Sequence, residues 1–272
     1  MNILLRFGHF CSLIRQVSPM NAPDAPPLYA SIRAHPAGDD VLFHHHDEFQ
    51  LTVAVTGTAR IQTETGWWLA MPGTAVLIAP GVLHRAIYPR QTELVNLRFM
   101  SDDETGIFPP AEMFNVSGLM MALVQEARKI TDLRYCEEES DLIRRLLLWQ
   151  LKKNTLKTDM FIPEGRDKRL RSITTHLRND PGCTQTLAQL SAQAHASQRT
   201  LSRLFAEETG MSFIRWRERL RTMVAIEKMS AGQTILGVAL DLGYQSASSF
   251  TTAFTRLTGM PPRQYMKLLV LD

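Results

Sequence analysis

The chain has 272 residues, 44% of them apolar and 21% charged, with a formal net charge of +3. That length is about twice a usual single domain and points to two cores, while the ordinary globular composition excludes disordered, collagen-like and coiled-coil classes. Three dispersed cysteines, Cys11, Cys136 and Cys183, support neither a disulfide framework nor a cysteine-based zinc site, and they fit a reducing cytoplasm. Charge is unevenly spread: residues 1–165 hold 15 Lys+Arg against 19 Asp+Glu, a balance of −4, and residues 166–272 hold 15 against 8, a balance of +7. A basic half of this kind is what a domain facing a polyanion produces.

Residues 1–27 read as a tail. The segment "MNILLRFGHFCSLIRQVSPM" is mildly apolar, but it lacks a small-residue cleavage pattern, and Met20 is a second candidate start. Residues 28–110 read as β structure: short runs such as "FQLTVAV", "TARIQTET", "GWWLAM", "TAVLIA" and "LVNLRF" are separated by Gly, Pro or Asp. Leu51, Val53 and Val55 alternate with Thr52 and Ala54, the period of a half-buried strand. The uncharged stretch from Thr65 to Leu83 is broken by Pro72, Gly73, Pro80 and Gly81, so it reads as strand, turn and strand rather than as a membrane span. Many short strands predict a small antiparallel barrel or a double-sheet jelly roll.

The run "FHHHDEFQL" puts His44 and His46 on one face of a strand, and "PGTAVLIAPGVLHRAI" brings His84 to the end of a later one. This spacing is similar to that of the cupin barrels, whose two motifs supply H-x-H with a carboxylate and then a last histidine to a divalent metal. Glu48 comes only two residues after His46, and Gln50 and Leu51 stand where the acid is expected. A three-histidine site at His44, His46 and His84 is chemically open to nickel, zinc or iron. The misplaced acid favours the plainer reading, in which the histidines line a pocket or bond to backbone. Trp67, Trp68, Phe43 and Phe49 are expected in the core, with the walling of a ligand cavity as the alternative.

Residues 111–153 turn helical. "VSGLMMALVQEARKI" places Leu119, Leu123, Ala127 and Ile130 on one face, and "EEESDLIRRLLLWQLKK" starts acidic and ends basic, as a helix dipole favours. On the second helix Leu142, Leu146, Trp149 and Lys153 form a stripe with Ile143, Leu147 and Gln150 beside it. It suits either packing on the barrel or an intersubunit seam. Residues 154–166, "NTLKTDMFIPEGR", show no sustained period and read as a linker.

From residue 167 to 272 everything reads as helix, and the text repeats. "LAQLSAQAHASQRTLSRLFAEETGMSF" and "ILGVALDLGYQSASSFTTAFTRLTGMPP" align Leu187 with Ile235, Leu190 with Val238, Ser197 with Ser246, Leu201 with Phe250, Phe205 with Phe254 and Gly210 with Gly259. Each copy is a short apolar helix, a turn, a serine cap and a second helix stopped by glycine, the helix-turn-helix layout. With Leu201, Leu204, Phe205, Phe250 and Phe254 turned inward, the outer faces carry Gln198, Arg199, Ser202 and Arg203 in one copy and Ala247, Ser248, Thr251, Thr252 and Arg256 in the other. Arginine forks onto guanine acceptors, and small hydroxyl residues admit base edges or thymine methyls. A continuous helix from Ser212 to about Ala231 joins the copies; at ~1.5 Å per residue it spans roughly 30 Å, near one turn of B-DNA. Arg215, Arg217, Arg219 and Arg221 along it suit phosphates, or else Glu218, Glu227 and water.

These last hundred residues resemble the DNA-binding domain of the AraC/XylS family of bacterial transcription regulators, many of which carry a cupin-like sensory barrel. The resemblance rests on "TLSRLFAEETGMSF", "GVALDLGYQSASSFTTAFTRLTGMPPRQYM" and the intervening helix. It implies base contacts at Arg199, Ser202 and Arg203 and at Ser248, Thr251 and Thr252, double-stranded promoter DNA as partner, a homodimer, and RNA polymerase as a further partner if the protein activates. His195 occupies a turn position usually taken by a small residue. Ser248 and Thr252 replace longer polar side chains, so the second unit is expected to read bases weakly and mainly to position the protein.

The expected fold is α+β in two domains, a cupin-like barrel with helices and an all-α domain with two helix-turn-helix motifs. The expected function is a cytoplasmic, sequence-specific regulator that is not an enzyme. It requires no cofactor, although its barrel is open to a divalent metal or a small-molecule effector. A cupin dioxygenase or isomerase is the runner-up, and the repeat speaks against it. A DNA-repair methyl acceptor would need clustered reactive cysteines.

Overall fold

A computed structural model describes residues 27–100, 108–130, 136–153 and 160–269. The N-terminal half runs through β1 (Leu28–His35), β2 (Asp39–His44), β3 (Phe49–Thr56), β4 (Ala59–Thr63), β5 (Gly66–Ala70), β6 (Thr74–Ile78), β7 (His84–Tyr88), β8 (Thr92–Phe99) and β9 (Ala111–Asn115), then α1 (Gly118–Ala127) and α2 (Glu137–Lys153). After β10 (Phe161–Pro163) come α3 (Lys168–Asn179), α4 (Leu187–Gln193), α5 (Gln198–Thr209), α6 (Phe213–Ser230), α7 (Ile235–Asp241), α8 (Ala247–Thr258) and α9 (Pro262–Leu268). The expected tail, residues 1–27, lies almost wholly outside the described residues.

The strands form two antiparallel five-stranded sheets, ordered β1-β8-β3-β6-β9 and β10-β5-β4-β7-β2. They make a jelly-roll-like sandwich, the double-sheet form of the two architectures expected. Side-chain alternation divides the first sheet cleanly. Leu51, Val53, Leu77, Val95, Leu97 and Phe99 pack outward against Leu123, Val124, Ile143 and Leu147 of α1 and α2. In register, Gln50 stands beside Arg98 and Thr52 beside Asn96 on the other face.

Three expectations need correcting. Residues 111–115 form strand β9 beside β6, not the start of a helix; the ladder bonds available at that sheet edge outweigh a short segment's helical preference. On α1, Met120 and Val124 are buried with Leu123 and Ala127, while Leu119 is half-exposed. Within the expected linker, Phe161–Pro163 adds to the edge of β5, with Phe161 opposite Trp68 and Pro163 opposite Gly66. A side chain at Gly66 would meet Ile162 O within 2.2 Å, so glycine lets this strand approach.

The strap of β10 binds the helical half as well. Trp216 Nε1 of α6 donates to Pro163 O at 2.8 Å, and Thr174 Oγ1 of α3 donates to Glu164 O at 3.2 Å. Sandwich and helical half share one contiguous apolar core, in which Trp67, Trp68, Leu69 and Met71 join Leu170, Phe205, Trp216 and Phe254. Trp67 and Trp68 are thus core residues, whereas Phe43, expected in the core with them, is exposed on β2. The same interface holds one buried ion pair. Arg60 of β4 donates to both carboxylate oxygens of Glu227 of α6, through Nε at 3.0 Å and through Nη2. Its guanidinium lies over the Trp67 ring, 4.5 Å from the centroid.

Removing one partner of a mostly buried pair leaves the other charge uncompensated. Arg60→Ala is therefore expected to destabilise the chain by about 2–4 kcal/mol in denaturant unfolding, and Arg60→Met with Glu227→Leu to recover most of that loss. Equal destabilisation by the single and the double replacement would show that the pair does not hold the halves together.

Candidate nucleic-acid interface

The helices expected to read DNA, α5 and α8, owe their limits to local chemistry. The side chain of Ser197 accepts from Thr200 N, and that of Ser246 accepts from Ser249 N. Gly210 (φ 69°) and Gly259 (φ 78°) stop the helices in the left-handed region that glycine favours. The preceding helices match too, with Thr186 capping α4 and Thr234 capping α7. Leu201, Leu204, Phe205, Phe250 and Phe254 are buried as the repeat requires.

Of the residues expected to meet DNA, Gln198, Arg199, Ser202, Arg203, Ser248, Thr252 and Arg256 are exposed, and Thr251 is half-buried. The threonine hydroxyls are turned back on their helix: Thr251 Oγ1 donates to Ala247 O at 2.8 Å and Thr252 Oγ1 to Ser248 O at 3.1 Å. Their hydroxyl protons are thus engaged within α8.

The four arginines of α6 do not form a phosphate-facing row. Arg215 is exposed. Arg217 donates to Gln185 O at 2.9 Å, buried Arg219 to Phe161 O at 3.5 Å, and buried Arg221 to Pro181 O at 3.0 Å and Cys183 O at 2.9 Å. These three guanidiniums serve backbone carbonyls because α6 is covered on most sides by the rest of the chain. Glu227, a candidate partner for them, is taken by Arg60. Two acids lie against arginines of these faces: Glu207 pairs with Arg203, and Glu218 of α6 with Arg256. For Glu207 the spacing of four residues was the available signal; for Glu218, on another helix, there was none.

In the sandwich His44, His46 and His84 come together, with ring centroids 4.3 Å (His44–His84), 4.9 Å (His46–His84) and 6.3 Å (His44–His46) apart. Each Nδ1 lies within hydrogen-bond distance of a carbonyl, of Leu42, Glu48 and Val82 respectively. The rings tilt against one another, and no group of three or more His, Cys, Asp or Glu among the described residues is arranged to hold a metal ion. Nε2 of His46 and of His84 and both carboxylate oxygens of Glu48 are buried without hydrogen-bond partners. Beside them runs a polar chain in which Arg98 donates to Gln50 Oε1, Gln50 Nε2 to Thr52 Oγ1, and Thr52 Oγ1 to Asn96 Oδ1.

Two family models match. Residues 28–102 fit the AraC-like ligand binding domain, and residues 190–268 a helix-turn-helix domain. The HTH-type transcriptional regulator NimR of Escherichia coli K12 is 27% identical over 238 residues, 86% of each chain. The HTH-type transcriptional activator RhaR of Salmonella typhimurium is 26% identical over 132 residues, 48% of this chain and 47% of that one. The chain belongs to the AraC family of DNA-binding regulators. These are regulators and not enzymes. Among solved structures, ToxT of Vibrio cholerae O395 aligns with 90% of this chain and 99% of its own at 15% identity and a TM-score of 0.40, a likeness too distant to bear on function. No helix among the described residues of this AraC-family chain is long and apolar enough to cross a membrane.

Two predictions follow the geometry of this regulator's two halves. His195, in the turn of the first unit, has φ 48°, where the second unit has Gly243 at φ 73°. A side chain in that region costs roughly 1 kcal/mol. His195→Gly is accordingly expected to raise thermal stability by up to about 1 kcal/mol, and a lowered midpoint would refute the strain.

The second concerns acid. Burial lowers the pKa of His46 and of His84 from 6.5 to about 4. Below pH 6.5 the unfolded chain takes up protons that the folded chain refuses, so stability is full above 6.5 and lost as pH falls toward 4, with a slope approaching about 1.4 kcal/mol per pH unit for each ring. Urea titrations across that range should flatten in His84→Gln; an unchanged slope would locate the acid sensitivity elsewhere.

Proposed function

We propose that the chain is a cytoplasmic, sequence-specific transcription regulator that reads promoter DNA with α5 and α8. The observation that carries this reading is the pair of repeated, serine-capped helices whose outward faces present Gln198, Arg199, Ser202 and Arg203 and then Ser248, Thr251, Thr252 and Arg256. Between them α6, with 18 residues, spans roughly 27 Å, enough to set two helices into successive major grooves on one side of a duplex. Arg199 and Arg203 supply guanine-directed forks in the first unit. The second unit, with methyl and hydroxyl groups and Arg256, reads bases less and fixes register more.

The sandwich is proposed to take a small-molecule effector at the His46, Glu48 and His84 end of its inner face, where acceptors lack donors. In register, Thr63 of β4 pairs with His84 of β7 and Arg60 pairs with Ile87. The effector end and the Arg60–Glu227 dock thus belong to one strand pair. An effector with different affinities for two arrangements of the halves would shift how the reading helices meet half-sites.

A homodimer is part of the same reading. α2 buries Ile143, Leu147 and Leu151 on the sandwich, while Leu142, Leu146 and Trp149 stay about half-exposed. Such a stripe suits a second copy, whose α2 lying antiparallel would set its basic end against this acidic one.

Titration of the full chain by fluorescence anisotropy against selected and random duplexes tests the reading. Arg199→Ala and Arg203→Ala are each expected to cost about 1–3 kcal/mol on a selected site and less on random DNA. Equal losses on both would assign these arginines to phosphate, and a chain that prefers no sequence would overturn the regulator's specificity altogether.

A further inference from the structure

Each reading helix carries an arginine that the protein already occupies. On α5 Arg203 Nη1 donates to Glu207 Oε2 at 2.7 Å, with both side chains more than half exposed. On α8 Arg256 Nη2 donates to Glu218 Oε1 of α6 at 2.6 Å. In the aligned copies Glu207 and Arg256 hold the same place, counted from Ser197 and Ser246. The charge at that place is reversed between the units, yet in both a carboxylate lies against an arginine of the reading face.

Stability of the fold does not account for these acids. At a spacing of four on a helix the favourable order puts the acid first, and here Arg203 precedes Glu207. Glu218 and Arg256 sit on different helices at an exposed seam, where an ion pair adds little. The inward guanidiniums of α6 have partners besides Glu218, since Arg217 and Arg221 donate to backbone carbonyls. What the two acids share is their place beside cations that face DNA.

We propose that Glu207 and Glu218 are specificity determinants of DNA binding, holding Arg203 and Arg256 away from phosphate unless the site offers a better-matched acceptor. The proposal rests on α5 and α8 being the helices that read DNA. On an arbitrary duplex an arginine that leaves its carboxylate gives up an ion pair, and the carboxylate is brought toward phosphates of its own sign. At a matched site a fork onto guanine O6 and N7, or a well-placed phosphate, outweighs both losses. Glu218 also feels the charge of Arg217, so it keeps a cation nearby when Arg256 departs. The acids weaken all binding, and they weaken unmatched binding most.

The test uses the full chain, a random duplex, and a duplex selected by the wild-type chain from a random library, each titrated over a salt series. Glu207→Gln and Glu218→Gln are expected to tighten random-duplex binding about two- to five-fold. They should steepen log affinity against log salt by about one per freed arginine and shrink the selected-to-random ratio. Glu218→Asp, which keeps the charge, should stay close to wild type on all three measures. Adding Arg256→Gln to Glu218→Gln should cancel the gain. Unchanged salt slopes and random-duplex affinity in both Gln variants would overturn the proposal, as would an equal gain on the selected site. A wild-type chain that selects no sequence overturns the DNA reading and the proposal together, whereas a selective wild type with silent Gln variants overturns the proposal alone.

Discussion

The structure depends on burying α6 on most sides. A helix that carries four arginines and two glutamates would ordinarily show a polar face to water, and here most sides are covered. Three guanidiniums are taken up by carbonyls of the segments at 161 and 181–185, and Glu227 by Arg60 of the sandwich. A buried charge without such partners would be too costly to keep. The polar groups of α6 therefore select the segments that cover it, and those segments belong to both halves of the chain. The helix that sets the separation of the two reading helices is the same one on which the sandwich docks.

That arrangement gives the three-residue strand β10 an importance out of proportion to its length. Its backbone completes an edge of the second sheet, and the Pro163 carbonyl takes the indole N–H of Trp216. Proline is tolerated there because an edge strand need not donate on its outer side. Glu164 continues the tie, pairing with Arg178 of α3. β10 is thus tied to both halves, and a change in the sandwich meets the helical half through packed side chains.

Legibility in the sequence followed the range of the interactions. The two helix-turn-helix units could be read because caps, turns and stop signals act within a few residues: Ser197 and Ser246, Gly210 and Gly259 each do locally what their chemistry dictates. The strands of the sandwich showed through side-chain alternation for the same reason. β10 was read as linker because three residues with a proline have no period; only the distant edge of β5 makes them a strand. For Arg217, Arg219 and Arg221 the sequence offers phosphate, or Glu218, Glu227 and water, but not the carbonyls they meet, which residue identity does not mark. The closeness of His44, His46 and His84 was foreseeable from spacing, whereas the turn of each Nδ1 to a backbone carbonyl depends on the local fold. On α2 the stripe was visible, but which side met the sandwich was settled only by Ile143, Leu147 and Leu151 turning inward.

The two copies of the repeat have diverged along one axis. The first keeps long, cationic side chains on its outer face and tolerates a strained His195 in its turn. The second has the relaxed Gly243 there and offers mostly methyl and hydroxyl groups before Arg256. A bidentate arginine discriminates among bases by hydrogen-bond pattern, whereas a short methylated surface discriminates by fit and by how closely the backbone can approach. Because α6 fixes the two units relative to each other, selectivity need not be shared evenly between them. One reader can carry the sequence preference while the other sets register, and the same rigid spacing makes an error at either helix an error for both.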